Sequence, residues 1–517
     1  MTSRSEAAPA APEAPGLGPA VWGVALAALA LHLATNGRYG FFRDELYFIA
    51  CGQRLAWGYV DQPPLIALVS RLSSALAGDS VGLFRLPAAL AHTGLVLLTA
   101  RLARALGGAR PAALLAGVAV AVAPVLVVGG HLLTMNSFEP LLWTGAALLL
   151  VRLLQAETPR TGTWAALGLV VGVGLLNKYS MAFWTVALVA GLLATPSRRV
   201  LATRVFLLAL GLALLCVLPN LYWQASRGFP MLELLRAGQA GKNAPFSVGN
   251  FLGQQLLLIG PLAAPLWLAG LAALLAWRPL RPYRALGVGF VAVLLVMVVL
   301  KAKTYYLAPA FPLLLAAGGV WAEARLPRLA RGAVVALVGL TGLAVAPLGI
   351  PVLPVDTFVR YQAALGVQPP RDENHQFNAL PQHFADQFGW PELVDAVAGA
   401  VGKLSPEERS RAGIFVQNYG EAGALEWLGR NRGLPPVLSG HNTYFLWGRR
   451  GVTGEVVLVV GEGDVEQLRT LCREVTLVGR VPRVENAMPY EQALTIHLCR
   501  GLHPPLAELW PKVKNYN

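Results

Sequence analysis

Residues 36–65, NGRYGFFRDELYFIACGQRLAWGYVDQPPL, set Arg43, Asp44, Glu45, Arg54 and Asp61 among aromatics in a chain with only 14% charged residues. Beside lipid, such groups persist only where water, headgroups or protein partners satisfy them, so the stretch is a candidate site. The apolar spacing of FRDELYFIACGQRLAWG predicts an amphipathic helix lying at the membrane interface. Asp44 and Glu45 then occupy its first turn, where the helix dipole favours ionised carboxylates. An ionised carboxylate at that boundary can serve as general base toward a hydroxyl. Neighbours on a helix diverge by about 100°, so Asp44 is read as the base and Glu45 as its support. The plain alternative is that both cap the helix or pair with Arg43 and Arg54. Asp61 precedes two prolines that fix a rigid turn. It could hold an acceptor or a divalent ion, or simply anchor the turn through Asx-type hydrogen bonds.

Three lysines stand at turns between apolar runs: Lys178 in NKYS, and Lys301 and Lys303 in KAKTYY, just before Tyr305 and Tyr306. Lysine binds phosphate as a compact point charge, and a phosphate leaving group needs neutralising as its bond breaks. Snorkelling lysines and interfacial tyrosines are the plain alternatives. His131, Asn136 and Glu139 share the segment HLLTMNSFE, where they could touch substrate; Glu139, just before Pro140, could equally cap a helix. The four cysteines (Cys51, Cys216, Cys472, Cys499) form no CxxC pair and no zinc spacing.

The elements that must position these groups are membrane spans. With 55% hydrophobic residues and a mean hydropathy of +0.53, most of the chain belongs in lipid. About 20 apolar residues cross a bilayer. That pattern recurs at 18–35, 82–100, 111–128, 138–154, 163–177, 180–195, 203–222, 251–276, 286–300, 305–322 and 332–350, eleven spans in all. Residues 1–17 are Ala/Pro-rich and read as a disordered tail, and the first span reads as an uncleaved anchor.

Fourteen arginines (101, 104, 110, 152, 160, 198, 199, 204, 278, 281, 284, 325, 328 and 331) fall in five connections on one side. By the positive-inside rule these connections are cytoplasmic. The net charge of +14 is thus topological, and nucleic acid is not needed to explain it. The first external loop (36–81) and the turns carrying His131, Lys178 and Lys301 then converge on the extracytoplasmic face. Residues 351–517 lie there too. Short apolar runs (GIFVQNYG, PPVLSG, EVVLVVGEG, VTLVGRV, ALTIHLCRG) alternate with helix-like EAGALEWLGRN and DVEQLRTLCREV, so this region reads as a soluble α/β domain. VVGEGD lacks the third glycine of a dinucleotide fingerprint. A disulfide between Cys472 and Cys499 is allowed in that compartment.

The segments YGFFRDELYFIACGQRLAWGYVDQPPL, HLLTMNSFEPLLW, GLLNKYS and KAKTYYLAPAFP resemble the GT-C glycosyltransferases, in particular the protein O-mannosyltransferase-like family that includes lipid A aminoarabinose transferases. The likeness covers about residues 20–325. It implies a GT-C-type polytopic membrane enzyme in the cell inner (plasma) membrane, inverting the anomeric centre of a polyprenyl-phosphate-linked sugar donor. The acceptor could be a lipid, a glycan or a protein. Asp44 matches the family's catalytic aspartate, Glu45 its partner, and Asp61 the acidic residue near the loop proline. Lys178, Lys301, Lys303, Tyr305 and Tyr306, with Arg43, match the donor-phosphate side. Asn136 stands where many relatives carry an acid, which puts a second carboxylate and any metal depending on it in doubt; no cofactor or metal is implied. The rival readings are a transporter or lipid flippase, with charges near the midplane and an internal repeat, and a non-enzymatic envelope scaffold.

Overall fold

The computed structural model describes residues 16–158, 160–239, 245–366, 379–462 and 465–517. The Ala/Pro-rich start, expected to be disordered, lies almost wholly outside the described residues.

In lipid every backbone amide must find its partner within the chain, and each long apolar run folds as helix. Among the described residues, six helices are long and apolar enough to span a membrane, and three further helix pairs pass together but are bent. Helix α1 (Pro19–Thr35) and the Thr161–Asn177 helix are shorter and equally apolar. The 163–195 stretch divides at Lys178 into Thr161–Asn177 and Ser180–Leu193.

Residues 251–276 do not form the single straight span expected. Val248–Ile259 meets Pro261–Ala276 at 95°, because Pro261 lacks an amide donor and Gly260 sits at φ 101°. The first half turns across the bundle, where Gln255 Nε2 donates to Thr304 O at 2.9 Å and props the 301–306 turn. The 111–128 run likewise bends by 65° ahead of Pro124. Deeper in the bundle, Gly270 and Gly318 each face the other helix's backbone with no room for a Cβ. Small residues give such close contact where lipid offers no hydrophobic driving force.

The C-terminal region carries a five-stranded mixed sheet of β1 (Ala412–Val416), β2 (Val437–Ser439), β3 (Val456–Gly461), β4 (Cys472–Arg480) and β5 (Thr495–Leu502). Its order is β2-β1-β3-β5-β4. β2, β1 and β3 run parallel, and β5 is antiparallel to both β3 and β4. DVEQLRTLCREV is not one helix: the helix Val465–Leu471 ends and β4 begins at Cys472. There the Cys472–Cys499 disulfide ties β4 to β5.

Helix α2 (Arg43–Gln53) departs most from expectation. It does not float at the lipid interface, because the C-terminal sheet domain covers its outer side. Its residues from Glu45 to Gly52 are all buried. One apolar core joins Leu46 and Phe48 of α2, Ile66 of α3 (Leu65–Ala77), and Trp390, Ile414 and Leu425 of the C-terminal sheet domain. The Tyr419–Trp427 helix lies directly on α2, close enough that a Cβ on Gly423 would sit 2.7 Å from Leu46 O. The candidate loop is therefore clamped between bundle and sheet domain.

Candidate active site

Glu45 is fully buried, as is Arg85, the residue just before the Leu86–Ala105 span. Arg85 Nε donates to Glu45 Oε1 at 2.9 Å and Arg85 Nη2 to Oε2 at 2.8 Å. Leu133 N adds a third donor to Oε1 at 2.9 Å, and Phe42 N a fourth to Oε2 at 2.8 Å. A carboxylate offers about four lone-pair sites, so Glu45 has none left for a substrate hydroxyl. Arg85 also donates to Asn36 O (3.0 Å), Gly40 O (2.9 Å) and Gln387 Oε1 (3.0 Å). His131 belongs to this knot: its Nδ1 lies 2.9 Å from Asn36 Oδ1 and its Nε2 3.3 Å from Arg85 Nη1.

Asp44, one residue away, points elsewhere as the helical turn requires. Its side chain is 32% exposed. Oδ1 accepts from the Tyr419 hydroxyl at 2.8 Å, and Oδ2 takes no hydrogen bond among the described residues. Arg43 Nε lies 3.7 Å from Asp44 Oδ1 and 3.8 Å from Asp386 Oδ2. Arg43 Nη1 donates to Tyr490 OH at 2.6 Å, and that hydroxyl donates to Asp386 Oδ1 at 2.7 Å. Burial opposes the charge of Arg43, but Asp386 and the neighbouring tyrosines hold its guanidinium above its ordinary range. Burial lifts the Asp386 carboxyl, with Arg43 opposing, and lifts the Tyr419 hydroxyl well above the usual phenol range. Tyr419 is therefore a protonated donor at neutral pH. Arg43, expected on the donor-phosphate side, is enclosed by the C-terminal sheet domain, where Tyr490 and Asp386 hold it.

Asp61 accepts from Tyr47 OH at 2.8 Å and from Asn442 Nδ2 at 3.3 Å, and the Thr443 hydroxyl lies 2.6 Å from the Tyr47 oxygen, to which it can donate. Its carboxylate thus joins the loop and the C-terminal sheet domain. Asn136, Glu139, Lys178, Tyr305 and Tyr306 form one cluster. Lys178 Nζ donates to Asn136 Oδ1 and to Glu139 Oε2, both at 2.8 Å. It also lies 4.3 Å and 5.8 Å from the ring centroids of Tyr306 and Tyr305. Ser180 Oγ donates to Glu139 Oε1. Glu139 does not cap its helix; Thr134 does, accepting from Asn136 N. Lys301 and Lys303 stand at the mouth of the same turn, Lys301 exposed and Lys303 half-buried. Among the described residues no group of three or more His, Cys, Asp or Glu is arranged to hold a metal.

Arg85, Tyr419, Tyr490 and Asp386 were not anticipated from sequence. Arg85 carried a signal, as an arginine at the end of a span opposite the fourteen others. The remaining three carried none, lying more than 340 residues from Asp44 in an ordinary α/β region.

With this geometry in hand, comparison with known proteins gives three findings. Residues 61–223 match the family model described as dolichyl-phosphate-mannose-protein mannosyltransferase. A stretch of 187 residues is 29% identical to lipid A galacturonosyltransferase RgtD of Rhizobium johnstonii, covering 35% of this chain and 38% of that protein. Among solved structures, ArnT from Cupriavidus metallidurans in the apo state aligns over 92% of this chain and 97% of its own, with a TM-score of 0.61 at 16% identity. The same protein bound to undecaprenyl phosphate aligns with a TM-score of 0.59 at 15% identity.

Proposed function

Taking as premise the GT-C fold that this multi-pass membrane chain shares with those glycosyltransferases, we propose that it is an inverting glycosyltransferase using a polyprenyl-phosphate-linked sugar. The observation that carries this reading is the division of labour between two adjacent carboxylates. Glu45 has every lone pair occupied in a buried ion pair, whereas Asp44 keeps an open oxygen at a water-accessible surface. Asp44 Oδ2 takes the proton as an acceptor hydroxyl attacks the anomeric carbon. The bond from that carbon to the phosphate oxygen breaks, and polyprenyl phosphate leaves with the electron pair. Lys178, supported by Tyr305 and Tyr306, with Lys301 and Lys303 at the mouth, neutralises the phosphate.

Glu45 contributes by position. It fixes α2, and through Leu133 N it fixes the turn that leads into the helix bearing Asn136 and Glu139. The acceptor is a hydroxyl-bearing lipid, glycan or protein. We place the site on the extracytoplasmic side of the inner membrane. The arginine-rich connections at the opposite ends of the spans support this orientation, as does the Cys472–Cys499 disulfide, which persists in oxidising compartments. The transporter reading has no comparable support, since the paired charges around the site gather at one end of the bundle. The test is Asp44→Asn in proteoliposomes containing a polyprenyl-phosphate sugar. Transfer should fall by at least about 100-fold, and full retained transfer refutes the mechanism.

A further inference from the structure

We propose that Tyr419 of the soluble domain is the positioning residue for the base Asp44, so that the active site is complete only while this domain is docked. The inference rests on the reading of Asp44 as base. Tyr419 OH donates to Asp44 Oδ1 at 2.8 Å and leaves Oδ2 for the substrate. A base oriented by a third group is a recurrent arrangement in proton-transfer sites.

The placement of this phenol is determined from several sides. Its ring stacks on Tyr47 (4.6 Å, 27°) and on His441 (4.6 Å, 30°). The Arg43 guanidinium lies over its face at 5.4 Å. Tyr419 opens a helix capped by Asn418, whose Oδ1 accepts from Gly420 N at 2.8 Å and Glu421 N at 3.0 Å. Gly420 follows, and any side chain there would collide with Arg43 Cγ. The missing Cβ is what lets this helix approach α2 closely enough for the phenol to reach Asp44. From the other side, Tyr490 and Asp386 hold Arg43, and Asp386 O accepts from Arg43 N at 3.0 Å. Three soluble-domain residues therefore set the position of the first turn of α2. A merely shielding domain would need no hydrogen bond to the base.

Tyr419→Phe in the full-length enzyme tests this, because it keeps the ring, its stacking and the contact with Arg43 while removing only the O–H. In proteoliposomes with a polyprenyl-phosphate sugar, kcat should fall about 10- to 100-fold, the scale of one hydrogen bond to a charged group. KM for donor and acceptor and the melting temperature should stay within error. An unchanged kcat overturns the proposal. So does a loss accompanied by a matching fall in melting temperature or rise in KM, which would assign Tyr419 a packing role. Asp44→Asn, assayed alongside, separates the two levels: if it retains full activity, the base assignment itself fails. If it is inactive while Tyr419→Phe is normal, only the positioning role fails.

Discussion

The Glu45–Arg85 pair allows a quantitative test of how the loop is held. In Glu45→Gln the negative charge disappears, but Arg85 remains fully buried with only neutral acceptors at Asn36 O, Gly40 O and Gln387 Oε1. The nitrogen of the new amide is a donor, and at either oxygen position it would face one guanidinium N–H and one backbone N–H that now donate to Glu45. Breaking a buried pair by removing one partner costs about 3–5 kcal/mol, and the four filled acceptor positions put this pair in that range. Arg85→Met should cost a similar amount, since it strands the carboxylate. The double variant removes both charges, so the cycle should reveal a coupling of about 2–3 kcal/mol. The assay is thermal unfolding of purified protein at one fixed scan rate, since large membrane proteins unfold irreversibly. Each single variant should melt several degrees below wild type, and the double variant well above the additive expectation. If Glu45→Gln melts like wild type while kcat falls by orders of magnitude, Glu45 takes part in the chemistry and the reasoning is wrong.

Other contacts make shorter predictions. Gly423→Val would push the Tyr419–Trp427 helix off α2 at Leu46 O, an overpacking of about 1–3 kcal/mol; activity should drop at least tenfold, with limited proteolysis detecting a loosened soluble domain around an intact bundle. Lys178→Gln should weaken binding of polyprenyl phosphate about tenfold. Because it also strands the nearly buried Glu139, the Lys178→Gln/Glu139→Gln pair, compared by ligand titration, isolates the effect of the cation. Glu491 and Glu421 share the Asn418 amide donor at 2.9 Å and 2.7 Å. Burial, with Asn418 opposing and Asp386 adding to it, lifts Glu491 from 4.5 to about 8; burial and Glu491 lift Glu421. The folded protein then binds more protons than the unfolded chain, so the pair's contribution to stability falls as pH rises from about 4.5 to 8. Glu491→Gln, which retains an oxygen for Asn418, should flatten the decline of melting temperature over that window; an unaltered pH profile would count against the raised Glu491 carboxyl.

Much of the bundle was legible because apolar runs in lipid have essentially one solution, the helix. The strands of the C-terminal region were legible for a similar reason, as short apolar runs bounded by Gly, Pro and charge. Two things were not. Proline and glycine at 260–261 broke a run whose hydropathy is continuous, since hydropathy does not register a lost amide donor. The partners of Asp44 were hidden by chain distance: nothing in the sequence pattern of the C-terminal region says which of its side chains reach α2. The same gap explains α2, whose amphipathic pattern is equally compatible with lipid or with a protein lid, and here the apolar residues meet Trp390, Ile414 and Leu425.

Asn136 gains meaning from the charges around it. Lys178 carries one positive charge, and Glu139 at 2.8 Å balances it. The other polar partner is the Asn136 carbonyl oxygen, which accepts from the ammonium without adding charge. A carboxylate at 136 would give the cluster a net negative charge, and a cation present to offset it would then be needed before phosphate could approach. With asparagine the cluster is neutral, so a phosphate beside Lys178 meets an ammonium already oriented by Asn136, Glu139 and the Tyr306 face. If Lys178 holds the donor phosphate as proposed, the departure from the acidic pattern leaves that phosphate to the protein's own lysines.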